Sequence, residues 1–432
     1  MKRFCILTTS LFLIFVLVAC GSNEDSYDES AYLGQQVIVV ATTPAPTMWT
    51  PNMPPPANPY ALRTYAWPPP TAPFELEIDQ NGMLSASPTV SAAIDADGTL
   101  WAWGSHGRGG LGQVDTESAL RPVRIMQNMA YVHLSGAMSQ AIDESGMLWQ
   151  WGMEINPRDF VNHDRQIGVP YSIMENTVML GFDREERFYV LTKSGEFRSW
   201  SYWSGRNLHI DLTQAAQGSS RTESTWAVEP SRVLTGIRQF SSNENANLLA
   251  LVTYTDELHL LGFIFTDIFL PLDGSIMSNV ARASVGQNFV LSLTNDGRLY
   301  AFGDNSYGQI GTGSDTARYR EMQFIMDNVV HIYAGADNAF AITSDGRLYG
   351  WGNNNMGKLG DGTTTEHRHP VFIMDNVNNV AAGTRHTLAI TNDGRLYGWG
   401  ENRAGQLGQG EGGGGFYHSP VFIMDNVKTV QR

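Results

Sequence analysis

Cysteine is almost absent from this sequence: Cys5 and Cys20 are the only two in 432 residues. A disulfide framework is therefore excluded as the source of stability, and a chain of this length can rely on an apolar core instead. Charge is also sparse, at 16% against a usual quarter, and basic charge most of all, with 28 Lys plus Arg facing 43 Asp plus Glu for a formal charge of −15. A surface of that sign repels a phosphate backbone, so no nucleic-acid partner is expected. No apolar run reaches the roughly 20 residues that a helix needs to cross hydrocarbon. What the chain does have is 42% hydrophobic residues, 11% aromatics and 44 glycines, which excludes a disordered or coiled-coil protein.

Lys2 and Arg3 precede a sixteen-residue, mostly apolar stretch from Phe4 to Ala19. A basic start, a short apolar run and small residues at its end predict a secretory signal over residues 1–19. The run closes on Leu17-Val18-Ala19-Cys20, which resembles the lipobox of bacterial lipoproteins. That resemblance implies cleavage before Cys20, a lipid anchor on its thiol, and a place on the extracytoplasmic face of a bacterial cell membrane. Residues 20–73 read as a tether, because eleven of the nineteen prolines fall between Pro44 and Pro73. Proline lacks the amide donor and fixes φ, so this density builds neither helix nor sheet interior. Trp49, Tyr60, Tyr65 and Trp67 interrupt it as scattered linker aromatics.

The remainder, residues 74–432, is repetitive. Asp296-Gly297-Arg298-Leu299-Tyr300-Ala301-Phe302-Gly303 returns as Asp345 to Gly352 and Asp393 to Gly400, and earlier as Asp97 to Gly104. Weaker copies at Ser145, Ser194 and Leu258 bring the number to seven. The turn positions 98, 146, 195, 256, 297, 346 and 394 are spaced 48, 49, 61, 41, 49 and 48 residues apart. A second element, Phe-Ile-Met-Asp-Asn-Val, stands at 324–329, 372–377 and 422–427, with looser forms near Met126, Met174 and Met277 and a seventh at Val233-Leu234. Its methionines, a third of the chain's seventeen, read as core filling rather than as a copper surface.

Each unit alternates short apolar segments with an Asp-Gly turn, the positive-φ signal of a hairpin. Both faces of these strands are apolar, which predicts sheets covered on both sides, and Ala381, Ala382 and Gly383 suit the narrow end of a wedge. Stacked wedges of short antiparallel sheet make an all-β, seven-bladed propeller. Because the chain meets the hairpin element first and the second element last, the final strand, Val421 to Val430, is expected to complete the first blade. Phe74 to Leu84 competes for the same edge.

Trp351-Gly352-x-Asn354-x-x-Gly357-x-Leu359-Gly360 recurs at 399–408, at 302–311 with Phe302 and Ile310, and at 103–112 with His106 for Asn. This pattern resembles the regulator of chromosome condensation repeat, and it marks Gly104, Gly303, Gly352, Gly400, Gly311, Gly360 and Gly408 as structural glycines. The Trp-Asp pair and double glycine of other propeller repeats are absent from it. The family's nuclear members are exchange factors for a small GTPase, a role that an exported acidic chain does not inherit. Its exported bacterial relatives include a propeller that covers β-lactamase active sites with its loops, although no inhibitory residue can be matched here.

Other candidate chemistry dissolves on inspection. Gly107 to Gly112 spells a dinucleotide fingerprint, but no helix pattern follows and the repeat accounts for its glycines. Glu366-His367-Arg368-His369 reads as a solvated loop rather than a metal pair, and Asp95-Ala96-Asp97-Gly98 lacks the later glutamate of a calcium loop. No catalytic residue, metal or cofactor is expected. The 61-residue interval inserts Tyr202, Trp203, Arg206, Arg221 and Trp226, side chains suited to anchoring a protein or peptide partner, and Phe416 with Tyr417 form a second such group. The rival reading is a cell-envelope enzyme or glycan-binding protein, which a cluster of perturbed carboxylates or histidines at one channel mouth would mark.

Overall fold

In the computed structural model the described residues are 7–9, 12–14, 76, 78–105, 110–112, 118–134, 138–154, 165–184, 187–201, 234–264, 268–270, 274–410 and 414–430. The chain forms two units, residues 1–59 and 60–432. In the first, Leu7–Thr9 pairs antiparallel with Phe12–Ile14. Cys20, the tether and the insertion residues Tyr202, Trp203, Arg206, Arg221 and Trp226 lie outside the described residues. Among the described residues no helix is long and apolar enough to cross a membrane.

The second unit is a seven-bladed β-propeller. Blade 1 consists of Leu84–Ala86, Val90–Ile94, Leu100–Ser105 and Ser118–Met126; blade 2 of Met129–Leu134, Met138–Asp143, Leu148–Glu154 and Arg165–Met174. Among the described residues blade 3 has three strands, Thr177–Phe182, Arg187–Thr192 and Phe197–Ser201, and the bridge Phe197 to Leu234 marks its fourth position. Blade 4 holds Ile237–Ser241, Leu248–Thr253, Leu258–Ile264 and the short Ile268–Leu270. Blades 5, 6 and 7 begin at Val280, Val329 and Val377, and end at Met326, Met374 and Met424. Within every sheet the strands follow chain order from the channel outward, all antiparallel, and each blade packs on the next, the seventh on the first.

The burial pattern explains the apolar two-sidedness. Second strands such as Phe289–Thr294, Asn338–Thr343 and His386–Thr391 are buried at every residue, whereas the outer strands Arg318–Met326 and Phe416–Met424 alternate between exposed and half-buried. The core thus lies between blades: one cluster joins Leu388, Ile390 and Leu396 of blade 7 to Trp103 of blade 1 and Trp151 of blade 2. Six asparagines, Asn128, Asn176, Asn279, Asn328, Asn376 and Asn426, carry the chain from an outer strand into the following blade with φ of 61° or 62°. Asparagine tolerates this left-handed region better than other side chains. Each of their carbonyls accepts the N–H of a turn residue on the next blade, at 2.8 to 3.0 Å, from Glu144, Lys193, Asn295, Ser344, Asn392 and Ala96 in turn.

The closure differs from the expectation. Phe416–Met424 is the outer strand of blade 7, paired with Leu396–Glu401, and does not complete blade 1. The inner strand of blade 1 is instead built from both chain ends. In blade 7, Val377 faces Thr391, and Val380, Ala381 and Ala382 face Ala389, Leu388 and Thr387. In blade 1 the corresponding pairs are Val427 with Asp95, and Leu84, Ser85 and Ala86 with Ala93, Ala92 and Ser91. Lys428 N–H adds a bond to Ile94 carbonyl at 3.0 Å. The two rival segments therefore share one strand position, because the outer strand of blade 7 must be filled before the chain can turn into blade 1.

Candidate functional site

The two faces of the ring are built differently. One carries the Asp-Gly hairpins and the asparagine linkers; the other carries the loops after the inner and third strands, and is called here the loop face. The repeated Trp-Gly-x-Asn-x-x-Gly-x-Leu-Gly segments shape that face. Asn305, Asn354 and Asn402 each accept, through Oδ1, the N–H of Ile310, Leu359 and Leu407 at 2.9 to 3.0 Å, folding the loop so that this apolar residue is fully buried. The next blade's tryptophan then donates its indole N–H to the residue before it: Trp351 to Gln309 carbonyl at 3.0 Å, Trp399 to Lys358 at 2.9 Å, Trp103 to Gln406 at 2.9 Å and Trp151 to Gly110 at 2.9 Å. Gly360 shows why a side chain is barred at the end of the motif, since it has φ of 83° and a Cβ there would lie 2.7 Å from Trp399 Nε1. Gly408, Gly311, Gly104, Gly303, Gly352 and Gly400 likewise have positive φ.

The channel runs between the inner strands, which are stitched by Leu134 N–H to Ser85 Oγ, Val285 N–H to Ser241 Oγ and Ala334 N–H to Ser284 Oγ. Its two ends are unequal. On the hairpin side Leu76 and the residues from Ile78 to Met83 cross it, with Leu76 N–H on Lys193 carbonyl at 2.8 Å and Asp79 N–H on Val178 carbonyl at 3.1 Å, both in blade 3. Asp79 also pairs with Arg282 of blade 5 at 3.2 Å. A chamber of about 210 Å³ lies against this plug, lined by Tyr131, His133, Gln239, Arg282 and Tyr333. Burial pushes the Tyr131 phenol above its ordinary value, and it holds the His133 imidazole down at about 4, where the ring stacks on Phe182 at 5.1 Å.

At the loop face the chamber continues into a mouth of about 150 Å³, lined by His133, Ser242, Glu244, Asn245, Ala334, Ala336, Ala381, Ala382, Gly383 and Thr384 among others. The blade 4 loop from Ser242 to Asn247 is six residues long, twice the length of those in blades 5, 6 and 7. It reaches across the mouth to blade 7. Asn245 Nδ2 donates to Thr384 Oγ1 at 3.0 Å, and Thr384 Oγ1 donates to Glu244 Oε1 at 3.4 Å. Glu244 is half-buried at the opening, and desolvation there raises its carboxyl to about 7 against the weaker opposing effect of the Thr384 bond. Thr384 carbonyl accepts from Lys358 Nζ at 3.3 Å, and Lys358 pairs with Asp337; burial lowers the pKa of this lysine, and Asp337 opposes the shift.

Of the sequence-derived anchors, Phe416 and Tyr417 begin the outer strand of blade 7 at the loop face. Phe416 is exposed, with the Arg403 guanidinium 4.8 Å from its ring centre, and Tyr417 is half-buried. The insertion leaves blade 3 after Ser201, at the loop-face end of its third strand. His367 is engaged by Asp361 at 2.6 Å, and among the described residues no group of three His, Cys, Asp or Glu could hold a metal. Asp95 braces its own hairpin, accepting from the N–H groups of Asp97 and Thr99 and from Trp101 Nε1. Sequence reasoning missed Glu244 and Thr384. The polar run Ser241-Ser-Asn-Glu-Asn245 in an otherwise apolar repeat was the available signal.

Residues 296–342, 345–390 and 393–431 match the model of the regulator of chromosome condensation (RCC1) repeat, and a second model of that repeat matches 280–309, 329–358 and 377–406. Over residues 280–431 the chain is therefore similar to RCC1 repeats. The sequence matches no curated protein. Among solved structures, yeast RCC1 (Prp20) bound to Kap60 is 18% identical with a TM-score of 0.61, covering 84% of this chain and 90% of that one. Prp20p from Saccharomyces cerevisiae, studied for binding to Gsp1p and histones, is 19% identical with a TM-score of 0.60, over 80% of this chain and 88% of that one. Human WBSCR16 is 16% identical at a TM-score of 0.60, over 76% and 94%. At these identities the RCC1-like likeness concerns the fold.

Proposed function

We propose that this chain is a membrane-anchored extracytoplasmic binding or scaffold protein, tethered through lipidated Cys20, whose loop face takes up a protein or peptide partner without catalysis. The observation that carries this reading is the inequality of the two faces. The hairpin side is locked by asparagine linkers and plugged by Leu76 and the residues from Ile78 to Met83, whereas the loop face offers the channel mouth, exposed Phe416 and the exit point of the aromatic insertion. The yeast neighbour was solved bound to Kap60 and studied for binding to Gsp1p and histones, so protein partners on this fold support the class of ligand, although not its identity. Capture from envelope extracts with the chain, with and without residues 202–230 replaced by a short Gly-Ser linker, tests it. A partner retained by the intact chain and lost on replacement is expected; equal or no capture by both overturns the role of the insertion. Cys20→Ala should move the protein from the membrane to the soluble fraction.

A second reading, an envelope enzyme or glycan-binding protein with its site at the mouth, draws on one observation: Glu244, raised to about 7, and His133, lowered to about 4, line the same opening. Turnover or retention of cell-wall glycan that disappears in Glu244→Gln would favour it over binding alone.

A further inference from the structure

We propose that the mouth of the channel is a receptor for a single primary ammonium, the side chain of a lysine presented by a protein partner. This rests on the loop-face reading above and names what that face recognises.

Glu244 carries an incompletely used carboxylate. An ionised carboxylate has about four acceptor positions. Among the described residues Glu244 accepts one bond, a long one at 3.4 Å, and it goes to Oε1. Oε2 is left over. A planar guanidinium prefers two parallel bonds to both oxygens, so an occupied Oε1 favours a compact ammonium, which binds as a point charge. Ser242 Oγ, which lines the mouth, is buried without a hydrogen-bond partner in the structure and supplies a second acceptor. The walls are methyl groups and backbone from Ala334, Ala336, Ala381, Ala382 and Gly383, which suit the methylene stem of a lysine entering from the loop face. A volume of about 150 Å³ admits such a side chain and excludes a folded segment.

The charges around Glu244 agree. From blade 2 it is faced by His133, which is neutral at ordinary pH. From blades 6 and 7 come Lys358, which is paired with Asp337 and reaches the backbone rather than the hydroxyl of Thr384, and Arg385, which is paired with Glu401; Arg184 of blade 3, whose N–H bonds Ala246 carbonyl, has an exposed side chain. In the inner chamber Arg282 is matched by Asp79. Among the described residues Glu244 thus has no ion-pair partner, and an incoming ammonium would favour its ionised form, offsetting the desolvation that holds its pKa up. The loop that carries it is held ready, since Asn243 Oδ1 accepts Asn245 N–H at 2.9 Å and Ala246 carbonyl accepts Arg184 N–H at 3.0 Å.

The test uses the full chain and small probes. Binding of Nα-acetyl-lysine methylamide is compared with the norleucine analogue, which lacks only the amine, and with cadaverine, by chemical-shift titration at pH 7.5. The lysine probe should bind at least about tenfold more tightly than the norleucine probe, and Glu244→Gln should remove that preference. In the unmodified protein, the Glu244 carboxyl titration followed by carbon-13 shift should move down by about one unit or more in saturating lysine probe. Equal binding of both probes, no binding of either, or a Glu244 titration indifferent to the lysine probe overturns the proposal. Cadaverine binding tenfold more tightly than the lysine probe overturns the protein source of the ammonium. A protein partner captured equally by wild type and Glu244→Gln leaves the loop-face reading standing and overturns this one.

Discussion

At the scale of the residue, the tryptophans of the repeat act through their one polar atom. Trp351 is fully buried and gives its N–H to Gln309 carbonyl, so Trp351→Phe keeps most of the apolar contact and leaves that carbonyl without its donor. The expected cost is about 1–3 kcal/mol, read from urea unfolding. Trp351→Ala should cost about 3–5 kcal/mol, because a cavity is added. Glu244 makes an acid-base prediction. Its folded pKa of about 7 stands above the ordinary 4.5, so the fold holds a proton that the unfolded chain releases, and stability falls as pH rises from about 4.5 through 7. His133 works in the opposite direction: it stays neutral in the fold down to about 4, and stability is lost as pH falls below 6.5. The difference in melting midpoint between wild type and Glu244→Gln cancels the histidine contribution, and it should shift in favour of wild type as pH is lowered from 7.5 to 5. A difference that is flat with pH would show that the Glu244 carboxyl is not desolvated.

At the scale of the element, the linkers between blades depend on one backbone conformation rather than on one side chain. Asn328→Gly should be nearly neutral, whereas Asn328→Ala should cost about 1–2 kcal/mol, because alanine must hold φ near 61°. Chemical denaturation of the pair distinguishes conformational from hydrogen-bonding roles, since both changes remove the same amide. This element recurs in the sequence as part of Phe-Ile-Met-Asp-Asn-Val, but there it read as a strand and not as a linker; the hairpin turns were legible, because they rest on a local backbone demand that only a few residue types meet. Even the odd turn at Asp256 keeps φ of 59°. Glu244 was not legible. Its chemistry depends on Thr384, 140 positions away, and on a channel that no local pattern announces. The aromatics and arginines at 202–226 stand out as composition in an interval longer than the rest, and they lie outside the described residues.

At the scale of the whole molecule, the number of blades followed from counting turns, but the joint did not. Phe422 to Met424 obey the same outer-strand pattern as Phe324 to Met326 and Phe372 to Met374, so the sequence of the last repeat contains no sign that only Val427 and Lys428 pass on to blade 1. The joint is held by Asn378, whose Nδ2 donates to Val430 carbonyl at 3.1 Å and whose Oδ1 accepts Val430 N–H at 2.7 Å. Asn378→Leu should lower the melting midpoint and raise hydrogen exchange first at Leu84–Ala86 and Ala96, with blades 3 to 5 protected. Uniform exchange over all blades would mean that the ring opens as one cooperative body. The split strand also sets an order of assembly. Asn426 and Asp97 meet across 329 positions, so a nascent chain can stack its sectors one after another yet stay an open arc until Asn426 and the residues just after it have been synthesised.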